Sequence, residues 1–532
     1  MTDTPPASTA SGGPGSSHPW LARTWTTASG CLVAEAAAGV DPLTVFGHAA
    51  SLPHVLFLDS AAVEARPAQD QPAALPPLGR WSFVAADPIH SICVEPEADP
   101  AAAARTTAEA FAGMRRILAE LATPTIPGLP PFQGGLAGLI SYDCGLARLG
   151  LPAPPAATPA VPLVSIHLYD VVFAYDHWQE RGWFISQGIP ARGPVGRRER
   201  AADRLEGFLP DPGGVDPSVI SPSEPARQPS GIAASSAAAP GRPLADNAPC
   251  SRPPIATSHP PDRYRTMVAT GIEAVLAGDV FQVNLAQRLS LTADLDPVAL
   301  HLAARRLNAA PFAACFDAGP AHLVSMSPER FLQAARGTVR MHPIKGTRRM
   351  LSSPEADLYA GAELGASDKD RAENVMIVDL VRNDLARVCL SESVRVEALC
   401  RLERFRYVQH LVSVVAGRLR PGLGPLDAIE AAIPAGSVTG APKHRACEII
   451  SEQESTARGA YCGCLGYLGL DGSADFNLLI RTIVSGGGAV SFSAGGGITA
   501  ASDPAAEHAE SLDKAEGMLR VLEAVCGEVE SS

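Results

Sequence analysis

Two kinds of hydrophobic spacing alternate along the chain. Near-continuous apolar runs of strand length occur at "HVLFLDS" (54–60) and "VSIHLYDVVFAYD" (164–176), and the stretch between them, "TTAEAFAGMRRILAELA", is helical. Beyond residue 260, β-branched runs alternate with helical stretches, and no internal repeat is visible. In "TVRMHPIKG", Val339, Met341, Pro343 and Lys345 share parity, so an extended chain puts all four on one face. The segment "SDKDRAENVMIVDLVRNDLARV" (367–388) opens a helix with a capping box, Ser367 with Asp370 three residues on. Met376, Ile377 and Leu380 form its apolar stripe; Asp379 and Asp384 fall on solvated or salt-bridged faces. A final helix is capped by Asp503, with Pro504 in its first turn. Together these elements predict an α+β or mixed α/β class.

One segment interrupts the pattern. Residues 210–260 are rich in Pro, Ala and Ser, nearly free of aromatics, and unable to form a packed core. They are read as a disordered insertion dividing an N-terminal region, 20–209, from a C-terminal region, 261–528. Residues 1–19 read as a disordered tail, without the basic start and apolar run of a signal peptide.

Composition removes several classes. A net charge of −13 without a basic patch argues against nucleic acid and anionic membranes. No apolar stretch approaches bilayer-spanning length. The 11 cysteines are scattered, with neither a paired CxxC spacing nor a disulfide framework, which fits a reduced cytoplasm. "CGCLGY" (462–467) imitates the nucleophile turn of a glutamine amidotransferase, but lacks its His-Gln continuation and a downstream His-x-Glu. Cys464 is therefore expected in a buried strand.

Candidate chemistry begins with cations. Of 43 Lys and Arg residues only Lys345, Lys369, Lys443 and Lys514 are lysines, and "MHPIKGTRRM" keeps one beside two arginines. Lysine alone can shed its proton and act as a nucleophile. On this stretch by itself, a snorkelling lysine at a strand end is the alternative. Glu373 stands on an apolar stripe, where a carboxylate is costly unless a metal or cation meets it. Glu507, Glu510 and Lys514 share a helical stripe, either as two carboxylates around a cation or as an ordinary exposed Glu–Lys pair. Two stretches offer backbone N–H groups to an anion: "GSVTGAPK", with Pro442 at a helix start, and "FSAGGGITA" (492–500), whose glycines suggest a nest after a strand.

In order, "FQVNLAQR", "SMSPERF", "PIKGT", "DRAENVMIVDLVRND", "GSVTGAPK", "IRT" and "AGGGI", with "PFQGGLAGLISYD" upstream, resemble the chorismate-utilising enzymes. That family includes anthranilate synthase component I and aminodeoxychorismate synthase component I. The resemblance implies an anthranilate synthase component I-like fold, two large β-sheets packed face to face with flanking helices. It implies chorismate in a cleft of the C-terminal region, with Mg²⁺ held by Glu373 and Glu510 and Glu507 beside them. Arg481, Lys514 and the amides of Gly495 and Gly496 would hold carboxylates, with Tyr461, Thr439, Gly440 and His410 lining the pocket. Glu329 matches the acid that protonates the departing 4-hydroxyl. Ser60, in "FLDS", matches a stretch that binds tryptophan in related enzymes.

Two positions select the branch. Water-using members carry a lysine base where this chain has Gln282, and anthranilate synthases read Pro-Ile-Ala-Gly-Thr where this chain has Lys345. The resemblance therefore implies the aminodeoxychorismate branch. There the lysine amine attacks ring carbon 2 and ammonia, from a glutamine amidotransferase subunit, enters at carbon 4. The product, 4-amino-4-deoxychorismate, leads to 4-aminobenzoate and folate. The stop after the last helix suggests no fused lyase. Anthranilate synthase and a catalytically silent regulatory subunit are the alternatives. Arg349, Ala435 and His508 depart from the usual proline, glycine and tyrosine of the family motifs.

Overall fold

A computed structural model describes residues 18–62, 78–211, 254–349, 361–404 and 408–529. Most of the disordered-tail and insertion assignments, 1–17 and 212–253, lie outside the described residues. No helix among the described residues is long and apolar enough to cross a membrane.

The apolar runs are continuous because the sheets they enter are covered on both faces. In strand Leu56–Asp59, Leu56 and Phe57 are both buried but join different cores. Cys464 and Leu465 divide the same way in strand Cys464–Gly469. One core lies between the two sheets, and the others lie between each sheet and its helices. Complete burial of a side chain such as Phe57 contributes about 1.5–3 kcal/mol.

Among the described residues, the strands form a 13-stranded and a 10-stranded sheet, each built from antiparallel pairs. This is the expected mixed α/β architecture of two large sheets with flanking helices. Both sheets draw strands from either side of the 210–260 segment: Leu56–Asp59 pairs with Phe312–Asp317, and Gly135–Ile140 with Cys464–Gly469. The run 164–176 is two strands, Val164–Tyr169 in the smaller sheet and Val171–Asp176 in the larger. Asp170 marks the crossing, and its carboxylate accepts from Arg204 Nη2 at 3.0 Å.

Two further crossings position the site. The chain leaves strand His322–Ser327 of the larger sheet and enters Arg330–Ala335 of the smaller through Glu329. It returns from Ala474–Leu478 to Thr482–Gly486 through Arg481, which has φ 51°. The crossings are tied together: Leu478 N donates to Glu329 O at 3.0 Å, and Met326 N to Arg481 O at 3.0 Å.

Helix starts follow the capping chemistry. Ser367 accepts from Asp370 N at 3.3 Å and opens Asp368–Ala386. Asp503 Oδ1 accepts from Ala505 N and Ala506 N and opens Pro504–Val529. The helix expected over 106–122 begins earlier, at Pro100, because Asp99 caps it and the alanine run continues it.

Candidate active site

Lys345 lies on strand Ile344–Arg349, opposite Leu411 of strand Val408–Arg418. The register shifts between Lys345 and Thr347, where Gly346 has φ 75°. A Cβ at Gly346 would stand 2.8 Å from Leu364 and 3.2 Å from Asp370. Glycine therefore lets the N-terminus of helix Asp368–Ala386 approach the lysine's strand. The parity expected from sequence holds for Val339, Met341 and Pro343, which are buried, and Lys345, which is partly buried. His342 is buried as well, because the strand breaks at His342–Pro343.

The lysine's Nζ donates to the Ser437 carbonyl at 3.1 Å. Burial holds its pKa below the ordinary lysine value, and Lys514 adds to this; Glu373, Glu329 and Glu510 pull the other way. Glu329 is buried, 5% exposed. Its Oε1 accepts from Ser437 Oγ at 3.1 Å. Burial pushes its pKa up to about 7 against the opposing pull of Lys345, the Ser437 hydroxyl and the Ile344 N–H. A carboxyl that titrates near neutrality is thus linked through Ser437 to an amine whose pKa is lowered by burial.

Three carboxylates come from two helices. Glu373 stands on Asp368–Ala386, and Glu507 and Glu510 on Pro504–Val529. Glu507 is buried and its Oε1 accepts from Ser502 Oγ at 2.7 Å; Glu510 pairs with Lys514 at 2.8 Å. Lys514 Nζ also donates to Gly495 O at 2.9 Å. Among the described residues, no three His, Cys, Asp or Glu side chains are close enough to hold a metal by themselves. Glu373 and Glu510 both act on Lys345 from different helices. Mg²⁺ takes one or two carboxylates and completes its shell with water and substrate oxygens, so Glu373 and Glu510 are the residues that could hold it.

Gly495 and Gly496 are found within strand Ala489–Ile498, paired with Ala286 and Leu285. The expected nest of consecutive amides is not formed, because an extended strand sends successive N–H groups to opposite sides. The glycines act through close approach instead. A Cβ at Gly495 would lie 2.1 Å from Leu285 O, and one at Gly496 2.9 Å from Glu507 Oε2.

His410 is buried on strand Val408–Arg418, where burial and then Arg481 push its pKa down to about 3. Its ring is therefore neutral at physiological pH. Thr439 is fully buried, its hydroxyl donating to Ala435 O at 3.0 Å and its carbonyl accepting from Asn284 N at 2.8 Å. Gly440 has φ 137°, and a Cβ there would meet Gln282 O at 2.0 Å. Tyr461 lies 5.5 Å from the Arg458 guanidinium. Asp384, on the opposite side of its helix from solvent, is buried against Lys443 at 2.8 Å, whereas Asp379 is exposed.

Sequence reasoning missed Ser437, although it lies inside "GSVTGAPK". It also missed the buried pair Arg458–Glu454, 2.6 Å apart. Arg458 donates to Val438 O at 2.9 Å and Asn284 O at 2.8 Å, and Glu454 accepts from Ala286 N at 2.9 Å. The pair thus fastens the 436–440 turn to strand Gln282–Thr292. The Glu454–Arg458 spacing on "ESTAR" was the available signal.

Ser60 stands apart from these groups. It lines a cavity with Trp81, Phe312, Arg330, Tyr467 and Asp475, among others. Arg330, one residue after Glu329, is held there by Asp475 at 2.9 Å. Cys464 is buried in its strand, as expected.

The residues thus bring an amine with a lowered pKa and a carboxyl with a raised one onto a single serine, Ser437. The sequence profile of the chorismate binding enzyme family matches residues 64–520, and the chain belongs to that family. It is 37% identical over 448 residues to anthranilate synthase component 1 of Streptomyces coelicolor, covering 84% of this chain and 81% of that one. It is 35% identical over 456 residues to aminodeoxychorismate synthase component 1 of Salmonella typhimurium, covering 85% and 91%. The crystal structure of anthranilate synthase component I from Streptococcus pneumoniae superposes with a TM-score of 0.66 at 26% identity, covering 86% of this chain and 95% of that one.

Proposed function

We propose that this protein is an aminodeoxychorismate synthase component I, replacing the 4-hydroxyl of chorismate with an amino group. The observation that carries the reading is the pairing of Lys345 with Glu329, an amine with a depressed pKa beside a carboxyl raised to about 7. The Lys345 nitrogen attacks ring carbon 2 while Glu329 delivers its proton to the 4-hydroxyl, which leaves as water. Ammonia then bonds to carbon 4, the carbon 2–nitrogen bond breaks, and the lysine amine is released. Arginine could not perform this step, which accounts for a lysine in so arginine-rich a chain.

Arg481 and Lys514 would hold the substrate carboxylates, Gly495 and Gly496 would let strand Ala489–Ile498 approach them closely, and Tyr461, Thr439, Gly440 and neutral His410 would form the walls. Glu373 and Glu510, with Glu507 adjacent, would hold Mg²⁺, which supplies charge neutralisation at the ring carboxylate. Gln282 is neutral and buried, so it offers no base for water attack. Ammonia would come from a separate glutamine amidotransferase subunit, in the cytoplasm.

The names of similar proteins divide between this activity and anthranilate synthase, which is the second reading. Incubation with chorismate, Mg²⁺ and ammonium chloride tests the choice. Accumulation of 4-amino-4-deoxychorismate is expected; fluorescent anthranilate would overturn it.

A further inference from the structure

We propose that Ser437 is a positioning residue that joins the acid and the nucleophile into one unit and fixes which carboxyl oxygen carries the proton. The inference rests on the roles given above to Lys345 and Glu329. One residue serves both groups: Ser437 Oγ donates to Glu329 Oε1 at 3.1 Å, and its carbonyl accepts from Lys345 Nζ at 3.1 Å. The Ile344 N–H, next to Lys345 in the chain, also favours the ionised form of the Glu329 carboxyl. With Oε1 accepting from the Ser437 hydroxyl, the acidic proton is left to Oε2.

The turn bearing Ser437 does not need the hydroxyl for its own shape. Arg458 Nη1 holds Val438 O at 2.9 Å, Asn284 N holds Thr439 O at 2.8 Å, and the Thr439 hydroxyl holds Ala435 O at 3.0 Å. Gly436 packs on the opposite side, where a Cβ would stand 3.2 Å from Leu380 on the helix carrying Glu373. The turn is thus held against strand Gln282–Thr292 on one side and helix Asp368–Ala386 on the other, and the serine passes that placement to Glu329 and Lys345. Titratable groups within electrostatic reach of Glu329 are Lys345 and the Cys462 thiol, the latter pushed up to about 12 and so neutral. Glu373, Glu510 and Lys514 act on Lys345.

The test uses the full chain with chorismate, Mg²⁺ and ammonium chloride, comparing wild type, Ser437→Ala and Ser437→Thr. Losing the Ser437 Oγ–Glu329 Oε1 hydrogen bond is expected to lower kcat in Ser437→Ala about tenfold, with KM for chorismate within about twofold. The same loss moves the alkaline limb of kcat up by about one pH unit, since the hydroxyl no longer favours the ionised carboxyl. Ser437→Thr keeps the hydroxyl and restores both. A second readout needs no turnover. The protonated-carboxyl infrared band that Glu329→Gln removes is expected to persist to about one pH unit higher in Ser437→Ala. An unmoved band overturns the inference, as does a fall in kcat that accompanies a lowered thermal midpoint without a shifted limb. Should wild type fail to aminate chorismate while the band still shifts, the assigned reaction fails and the Ser437–Glu329 coupling stands.

Discussion

Replacing Glu329 with glutamine should stabilise the fold while disabling the site, and the stabilisation should depend on pH in a defined direction. Burial raises this carboxyl from an ordinary 4.5 to about 7. Below 4.5 it is protonated in both folded and unfolded chains, and its ionisation costs nothing. As pH rises toward 7 the unfolded chain has released the proton and the folded one has not, so stability falls; above 7 the loss is constant. A gap of about 2.5 pH units corresponds to about 3 kcal/mol at about 1.4 kcal/mol per unit. Glutamine is isosteric, never ionises, and can still accept from Ser437 at its amide oxygen. Denaturant unfolding of Glu329→Gln against wild type should show about 3 kcal/mol of added stability at pH 8 and little difference at pH 4.5. Loss of a general acid should cost about 10²–10⁴ in kcat. A stability difference that is the same at both pH values would refute the assignment of the raised carboxyl to Glu329.

Two other perturbations probe the scaffold around the cleft. Asp384→Asn leaves the partly buried Lys443 against a neutral partner, with the Ala432 carbonyl at 3.1 Å and the asparagine oxygen to offset its charge. Breaking such a pair should cost about 3–5 kcal/mol, read as a lower denaturation midpoint. Gly495→Ala forces a Cβ to within 2.1 Å of Leu285 O and must part strand Ala489–Ile498 from Gln282–Thr292. That change should remove chorismate binding, measured by calorimetry, even where the variant remains folded; unchanged affinity would count against this strand pair as a wall of the site.

Local rules carried the reading where contacts are local. The Ser367 and Asp503 caps, the helix stripe bearing Glu373 and the strand ending in "FLDS" follow from capping and spacing over a few residues. What stayed hidden depends on chain crossings and long-range pairing. The run 164–176 looks like one strand, yet Asp170 divides it between two sheets, because an apolar pattern records burial without saying in which sheet. The glycines at 494–498 were read as a nest because glycine permits many conformations, and only the pairing with 283–287 shows that they are extended. Arg458 and Glu454 look like surface charges, and their burial follows from meeting strand Gln282–Thr292, far away in sequence. The candidate site residues were named through the motif resemblance; the serine bonded to both Glu329 and Lys345 was visible only in three dimensions.

The central claim is that the Lys345 nitrogen bonds to the substrate ring. Mass spectrometry of protein quenched after mixing with chorismate and Mg²⁺, with ammonia withheld, tests it most directly. A chorismate-derived adduct is expected on the peptide containing Lys345, absent from Lys345→Arg and discharged when ammonium is added. An unmodified peptide, under conditions where added ammonium gives product, would contradict it.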